Sequence, residues 1–89
     1  LPMSLIEAMS VGVIPVCTRV GGMPEVIEDG VNGFLVESLN SQELAGKILR
    51  ICEYDPERIG YLKSNARKTV MERYSIQASL EKLMFLYDA

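Results

Sequence analysis

Leu1-Pro2-Met3-Ser4-Leu5-Ile6-Glu7-Ala8-Met9-Ser10-Val11-Gly12-Val13-Ile14-Pro15-Val16-Cys17 opens the chain. Leu5, Ile6, Ala8 and Met9 supply the apolar positions of a short helix, and Gly12 stands where a left-handed helix terminator belongs, so the helix should end near Val11. Val13 to Thr18 is then a β-branched and apolar run with Pro15 near its start, where a proline disturbs a ladder least. This segment reads as a buried parallel strand. One carboxylate, Glu7, sits on an otherwise apolar helix that leads into that strand, and it needs a reason.

Downstream, Gly21-Gly22 allows a turn and Pro24 suits the first turn of a short helix carrying Glu25, Val26 and Ile27. Gly30, Asn32 and Gly33 form another turn, and Phe34-Leu35-Val36 a second short strand. Asn40 and Glu43 have the spacing of a capping box, opening a helix through Leu44, Ile48 and Cys52. Asp55-Pro56 is a cap followed by a first-turn proline, and Ile59, Leu62, Ala66 and Val70 continue at helical spacing. Tyr74-Ser75 reads as a break before a last helix with Ile76, Leu80, Leu83, Met84 and Tyr87 on one stripe. Strands alternating with helices predict an α/β class: a partial, Rossmann-like parallel sheet with flanking helices, binding its ligand beyond the carboxyl ends of the strands. Two strands make only part of such a sheet, and an unpaired edge invites self-association.

With 89 residues, 48% hydrophobic and 24% charged, the chain is sized for one small domain of ordinary globular composition. A net charge of −3 with interleaved signs offers no basic face for a nucleic-acid backbone. No run reaches the roughly 18 apolar residues of a membrane span. Cys17 and Cys52, in a chain without histidine, read as packed free thiols rather than metal ligands.

The opening stretch, followed by Gly21-Gly22-Met23-Pro24-Glu25-Val26-Ile27 and Asp29-Gly30-Val31-Asn32-Gly33-Phe34-Leu35-Val36, resembles the C-terminal, nucleotide-binding half of GT-B glycosyltransferases of retaining family 4. That family carries two glutamates as E-x7-E; Glu7 and Pro2 match the second Glu and the Pro, and the first Glu would fall just before Leu1. The resemblance implies that residues 1–89 are part of a larger enzyme moving a sugar from a nucleotide-sugar donor to an acceptor with retention, inactive alone, with the acceptor side in an N-terminal domain. It implies that Glu7 accepts the hydroxyls of the donor ribose and that backbone N–H groups of Leu1, Met3 and Ser4 lie near the phosphates or donor sugar; Pro2 has no N–H. No metal or other cofactor is expected, and no catalytic residue falls within the chain. The parent is expected to be cytoplasmic, at most peripheral at the inner face of the membrane, and to build cell-surface polysaccharide.

Other local features carry less chemistry. Arg19 reads as a solvated loop charge, Glu25 as a local cap or pair, and Glu28 and Asp29 as solvent-facing turn residues. Gly21-Gly22 lacks the spacing and lysine of a phosphate-binding loop. The stripe of Ser75 to Ala89 reads as core or domain interface, since Glu81, Lys82 and Asp88 give it no basic cluster. Two rivals remain at this point: a sugar-nucleotide epimerase of the same architecture, and a non-catalytic binding or assembly module in which Glu7 is structural.

Overall fold

The computed structural model describes residues 3–21, 23–37 and 40–73. Within them the order is α1 (Met3–Ser10), β1 (Val16–Thr18), α2 (Met23–Val26), β2 (Phe34–Val36), α3 (Ser41–Cys52) and α4 (Pro56–Arg73). The helix proposed after Ser75 lies outside the described residues. β1 and β2 pair in parallel, with Val16 opposite Phe34, Cys17 opposite Leu35 and Thr18 opposite Val36.

α1 ends as its sequence requires. Gly12 adopts φ +79°, its N–H donates to the Met9 carbonyl at 3.0 Å, and Val13 N–H reaches back to Ala8 at 3.1 Å. These are the two bonds of a Schellman turn, which satisfies the last carbonyls of a helix and reverses the chain. β1 is shorter than the anticipated residues 13–18, because pairing begins only where Pro15, itself without a donor, offers its carbonyl to Phe34 N–H at 2.9 Å. It is also half-buried at all three positions rather than buried, whereas β2 is buried throughout.

Alternation along the two strands divides the molecule into layers. Cys17 and Leu35 face one side, where Leu35 joins Leu5 and Met9 of α1, Val26 and Ile27 of the α2 region, and Ala66 and Val70 of α4 in one apolar cluster. Phe34 and Val36 face the other side, where Lys47 of α3 places Nζ 5.2 Å from the Phe34 ring centre and the Tyr54 ring lies 6.2 Å away. α3 begins as read, with the Asn40 side chain accepting from Gln42 and Glu43 N–H, and α4 begins with Asp55 accepting from Arg58 N–H at 2.8 Å.

Two expectations are corrected here. Cys52 is exposed and does not pack, because no residue of α3 is buried; its apolar stripe leaves Leu44, Ile48 and Leu49 largely open. Asp29 is not simply solvent-facing: its Oδ1 accepts the Leu35 N–H at 2.9 Å and ties the turn to β2.

Candidate functional site at the carboxyl edge of the sheet

Because α1 runs into β1 through a chain-reversing turn, its N-terminus lies at the edge where the parallel strands finish, the edge at which open α/β sheets bind ligands. Met3 and Ser4 form the first turn of α1 and are exposed. First-turn N–H groups have no partner within their own helix and carry the positive end of its dipole. Leu1 and Pro2 lie outside the described residues.

Glu7 follows one turn later on the same helix. The core anchors of α1 are Leu5 and Met9, and Glu7, two positions from each, projects from the opposite side of a helix with 3.6 residues per turn. It shares that outer stripe with Met3 and Val11, which are 56% and 77% exposed. The Glu7 carbonyl receives the Ser10 hydroxyl at 2.6 Å, while its carboxylate is exposed and has no partner among the described residues. A carboxylate presented this way can accept two neighbouring hydroxyl groups at once.

Arg19 is held more firmly than a solvated loop charge. Its backbone N–H donates to Val36 O at 2.8 Å, extending the β1–β2 ladder by one residue, and its Nε donates to Glu37 Oε1 at 3.0 Å. Glu37 in turn has its N–H bonded to the Glu43 carboxylate at 2.9 Å.

A separate cavity of about 380 Å³ opens between α2, the following turn and the second half of α4. Glu7, Met3 and Ser4 do not line it. Its two basic side chains are engaged with their own surroundings: Arg73 donates to the Glu25 carbonyl at 2.9 Å, and Lys68 lies 3.9 Å from Glu72. Glu25 therefore joins α4 through its main chain.

Between these regions the sequence reading missed a buried hub. Asn32, 5% exposed, accepts Glu28 N–H at 2.8 Å and donates to Val26 O at 3.0 Å and to Thr69 Oγ1 at 2.9 Å. Thr69 donates to Asn65 O, and Asn65 donates to Val31 O at 3.0 Å. The hub fixes the turn after α2 against α4. Its sequence signal, an Asn between two glycines, is that of an ordinary turn.

Comparison with known proteins places this arrangement. Residues 1–69 match the family described as glycosyl transferases group 1. A sucrose synthase of Denitrovibrio acetiphilus is 38% identical over 92% of this chain and 11% of its own length. A putative colanic acid biosynthesis glycosyltransferase, WcaL of Salmonella typhimurium, is 33% identical over 97% of the chain and 21% of its own length. Among solved structures, Anabaena HepE in complex with UDP aligns with a TM-score of 0.78 at 31% identity, over 99% of this chain and 24% of HepE; HepE has also been seen with UDP-glucose. TarM aligns with a TM-score of 0.72 at 34% identity, over 98% of this chain and 18% of its own. These neighbours are GT-B glycosyltransferases, and this chain spans between about a tenth and a quarter of the length of such relatives. The chain belongs to the glycosyl transferases group 1 family.

Proposed function

We propose that this chain is the nucleotide-sugar-binding part of a retaining glycosyltransferase, and that Glu7 holds the ribose of the donor. The observation that carries this reading is the position of Glu7: an exposed carboxylate one turn into a helix whose N-terminus lies at the ligand-binding edge of a parallel sheet. UDP and UDP-glucose in the HepE structures support the donor class.

In this reading each end of α1 has a task. The first-turn N–H groups of Met3 and Ser4 face the diphosphate, where the helix dipole favours negative charge. Glu7 accepts the two ribose hydroxyls and fixes the nucleoside. During transfer the bond between the sugar's anomeric carbon and the diphosphate oxygen breaks, a bond to the acceptor oxygen forms on the same face, and the departing diphosphate takes the electron pair and the proton released from the acceptor hydroxyl. Donors fixed in advance around that developing charge lower the barrier without reorganising as it forms. No metal is required, so a chelator should leave the rate unchanged. The acceptor binds on a domain outside this chain, which therefore does not transfer sugar by itself. The protein works in the cytoplasm, at most peripherally at the inner face of the membrane.

The test is a Glu7→Gln substitution in the full-length protein, assayed with nucleotide-sugar donors. Loss of one charge-assisted contact to the ribose should lower kcat/KM by about tenfold or more, with the melting temperature unchanged because the side chain is exposed. Unchanged kcat/KM contradicts the assignment.

A further inference from the structure

Asn32-Gly33 is the dipeptide whose chemistry the proposed function leaves unused. An asparagine followed by glycine is open to deamidation, because a residue without Cβ lets its backbone nitrogen reach the asparagine side chain. Both residues are nonetheless required by the packing. At position 32 one side chain must accept the Glu28 N–H and donate to both the Val26 carbonyl and the Thr69 hydroxyl. A carboxylate donates nothing and a hydroxyl has a single proton, so a carboxamide fits. At position 33 a Cβ would collide with the Pro15 ring and carbonyl. Two unrelated demands, a polar one from α4 and a steric one from Pro15, thus meet in one labile pair.

The same contacts restrain both reacting groups. The Asn32 carboxamide is buried and held by its three hydrogen bonds, while Gly33 lies against Pro15 and its carbonyl accepts the Gly30 N–H at 2.8 Å. Cyclisation brings the Gly33 nitrogen onto Cγ of Asn32 and expels Nδ2, so the carboxamide must first release the Val26 carbonyl and Thr69.

We infer that Asn32-Gly33 is a gated deamidation site: the pair stays intact while Asn32 holds α4, and local opening of that hub starts an irreversible conversion. In the open state the Gly33 nitrogen bonds to Cγ, the Cγ–Nδ2 bond breaks, and ammonia leaves with the Gly33 amide proton. Water then opens the cyclic imide at either carbonyl, giving aspartate or an isoaspartyl linkage. Aspartate sets a carboxylate against the Val26 carbonyl and has neither of the donors. The isoaspartyl linkage adds a carbon to the main chain just before β2, whose pairing begins at Phe34. Either product keeps the hub from reforming. The inference stands apart from the assignment of the donor site.

The experiment incubates the full-length protein at mildly alkaline pH below its melting temperature and follows Asn32 by mass spectrometry of the peptide that contains it. Wild type, Thr69→Val and Gly12→Ala are compared, each folded and in urea. The folded wild type should convert about tenfold or more slowly than the unfolded chain. Thr69→Val keeps the side-chain shape and removes one partner of Nδ2, and should speed conversion in the folded protein by about fivefold. Gly12→Ala strains the turn after α1, outside the hub, and should leave the folded rate near that of the wild type. Equal rates in the folded and unfolded wild type would overturn the inference, as would an unchanged rate in Thr69→Val. Equal acceleration by Thr69→Val and Gly12→Ala would carry the reaction through global unfolding and overturn the local gate. Asn32→Asp reproduces one product and should lower the melting temperature; an unchanged value would show that conversion leaves the turn attached to α4, against the inference.

Discussion

Asn32 shows how much one side chain can organise in a small fold. Replacing it with alanine removes three hydrogen bonds and leaves the Glu28 N–H and the Val26 carbonyl without their partner. Since a buried polar group left unsatisfied costs about 1–3 kcal/mol, Asn32→Ala should destabilise the fold by about 2–4 kcal/mol in a urea titration. A loss below about 0.5 kcal/mol, the range of ordinary surface substitutions, would mean that water substitutes for the hub. The two cysteines differ in a way that thiol labelling can read. Burial raises the Cys17 thiol above its ordinary value of 9.0, while Cys52 is exposed, so Cys52 should react with iodoacetamide first and Cys17 only as the solution becomes more alkaline. A raised thiol pKa favours the protonated folded form. Its small contribution to stability is therefore complete below the ordinary thiol value and disappears as pH rises through the folded one. At this scale the sequence was legible only in part. Gly12, Asn40 and Asp55 declare their roles because caps act over a few neighbouring residues. The partnership of Asn32 with Thr69 spans 37 positions, and no local pattern announces it.

Elements were easier to read than their depths. β2 occupies the anticipated Phe34-Leu35-Val36, α1 ends at the expected Gly12, and α2, α3 and α4 begin at their expected caps and prolines. β1 lost its first half because Pro15 accepts a bond but cannot donate one, a limit that hydropathy does not register. Gly33 is the matching feature on β2. A Cβ built there would lie 2.6 Å from Pro15 Cγ and 2.8 Å from its carbonyl oxygen, so Gly33 is required by the close approach of the two strands at their first rung. Gly33→Ala should force that rung apart at a cost of about 1–3 kcal/mol, as overpacking does. Gly12→Ala, strained only by its positive φ, should cost about 1 kcal/mol. Chemical denaturation of the two variants should place Gly33→Ala at or below Gly12→Ala; the reverse order would contradict the account of the strand contact. The stripe on α3 was also legible as a pattern, yet it is not buried among the described residues. Periodicity tells which face of a helix is apolar, not what covers it.

For the whole molecule, the apolar face of α3 and the outer stripe of α1 leave Leu49, Ile48, Val11 and Met3 exposed, beside a sheet that has two strands among the described residues. Such surfaces favour association. The 89-residue chain alone should sediment with a concentration-dependent increase in mass, and Leu49→Glu should reduce it; a strictly monomeric chain would show that these surfaces are too small to pair. Family membership was legible from the first forty residues because the motif there combines a helix, a terminator and a strand in fixed order. The ribose role of Glu7 is what that resemblance implies, and geometry adds that the residue is exposed. The central claim is that this carboxylate holds the ribose diol, and a double-mutant cycle on the full-length protein tests it most directly. UDP and its 2′,3′-dideoxy analogue are titrated into the wild type and Glu7→Gln, with the ADP or GDP pair used instead if that nucleotide binds the wild type. The account predicts that deleting the hydroxyls weakens binding to the wild type by about tenfold or more and hardly affects Glu7→Gln. An equal loss in both proteins would contradict it.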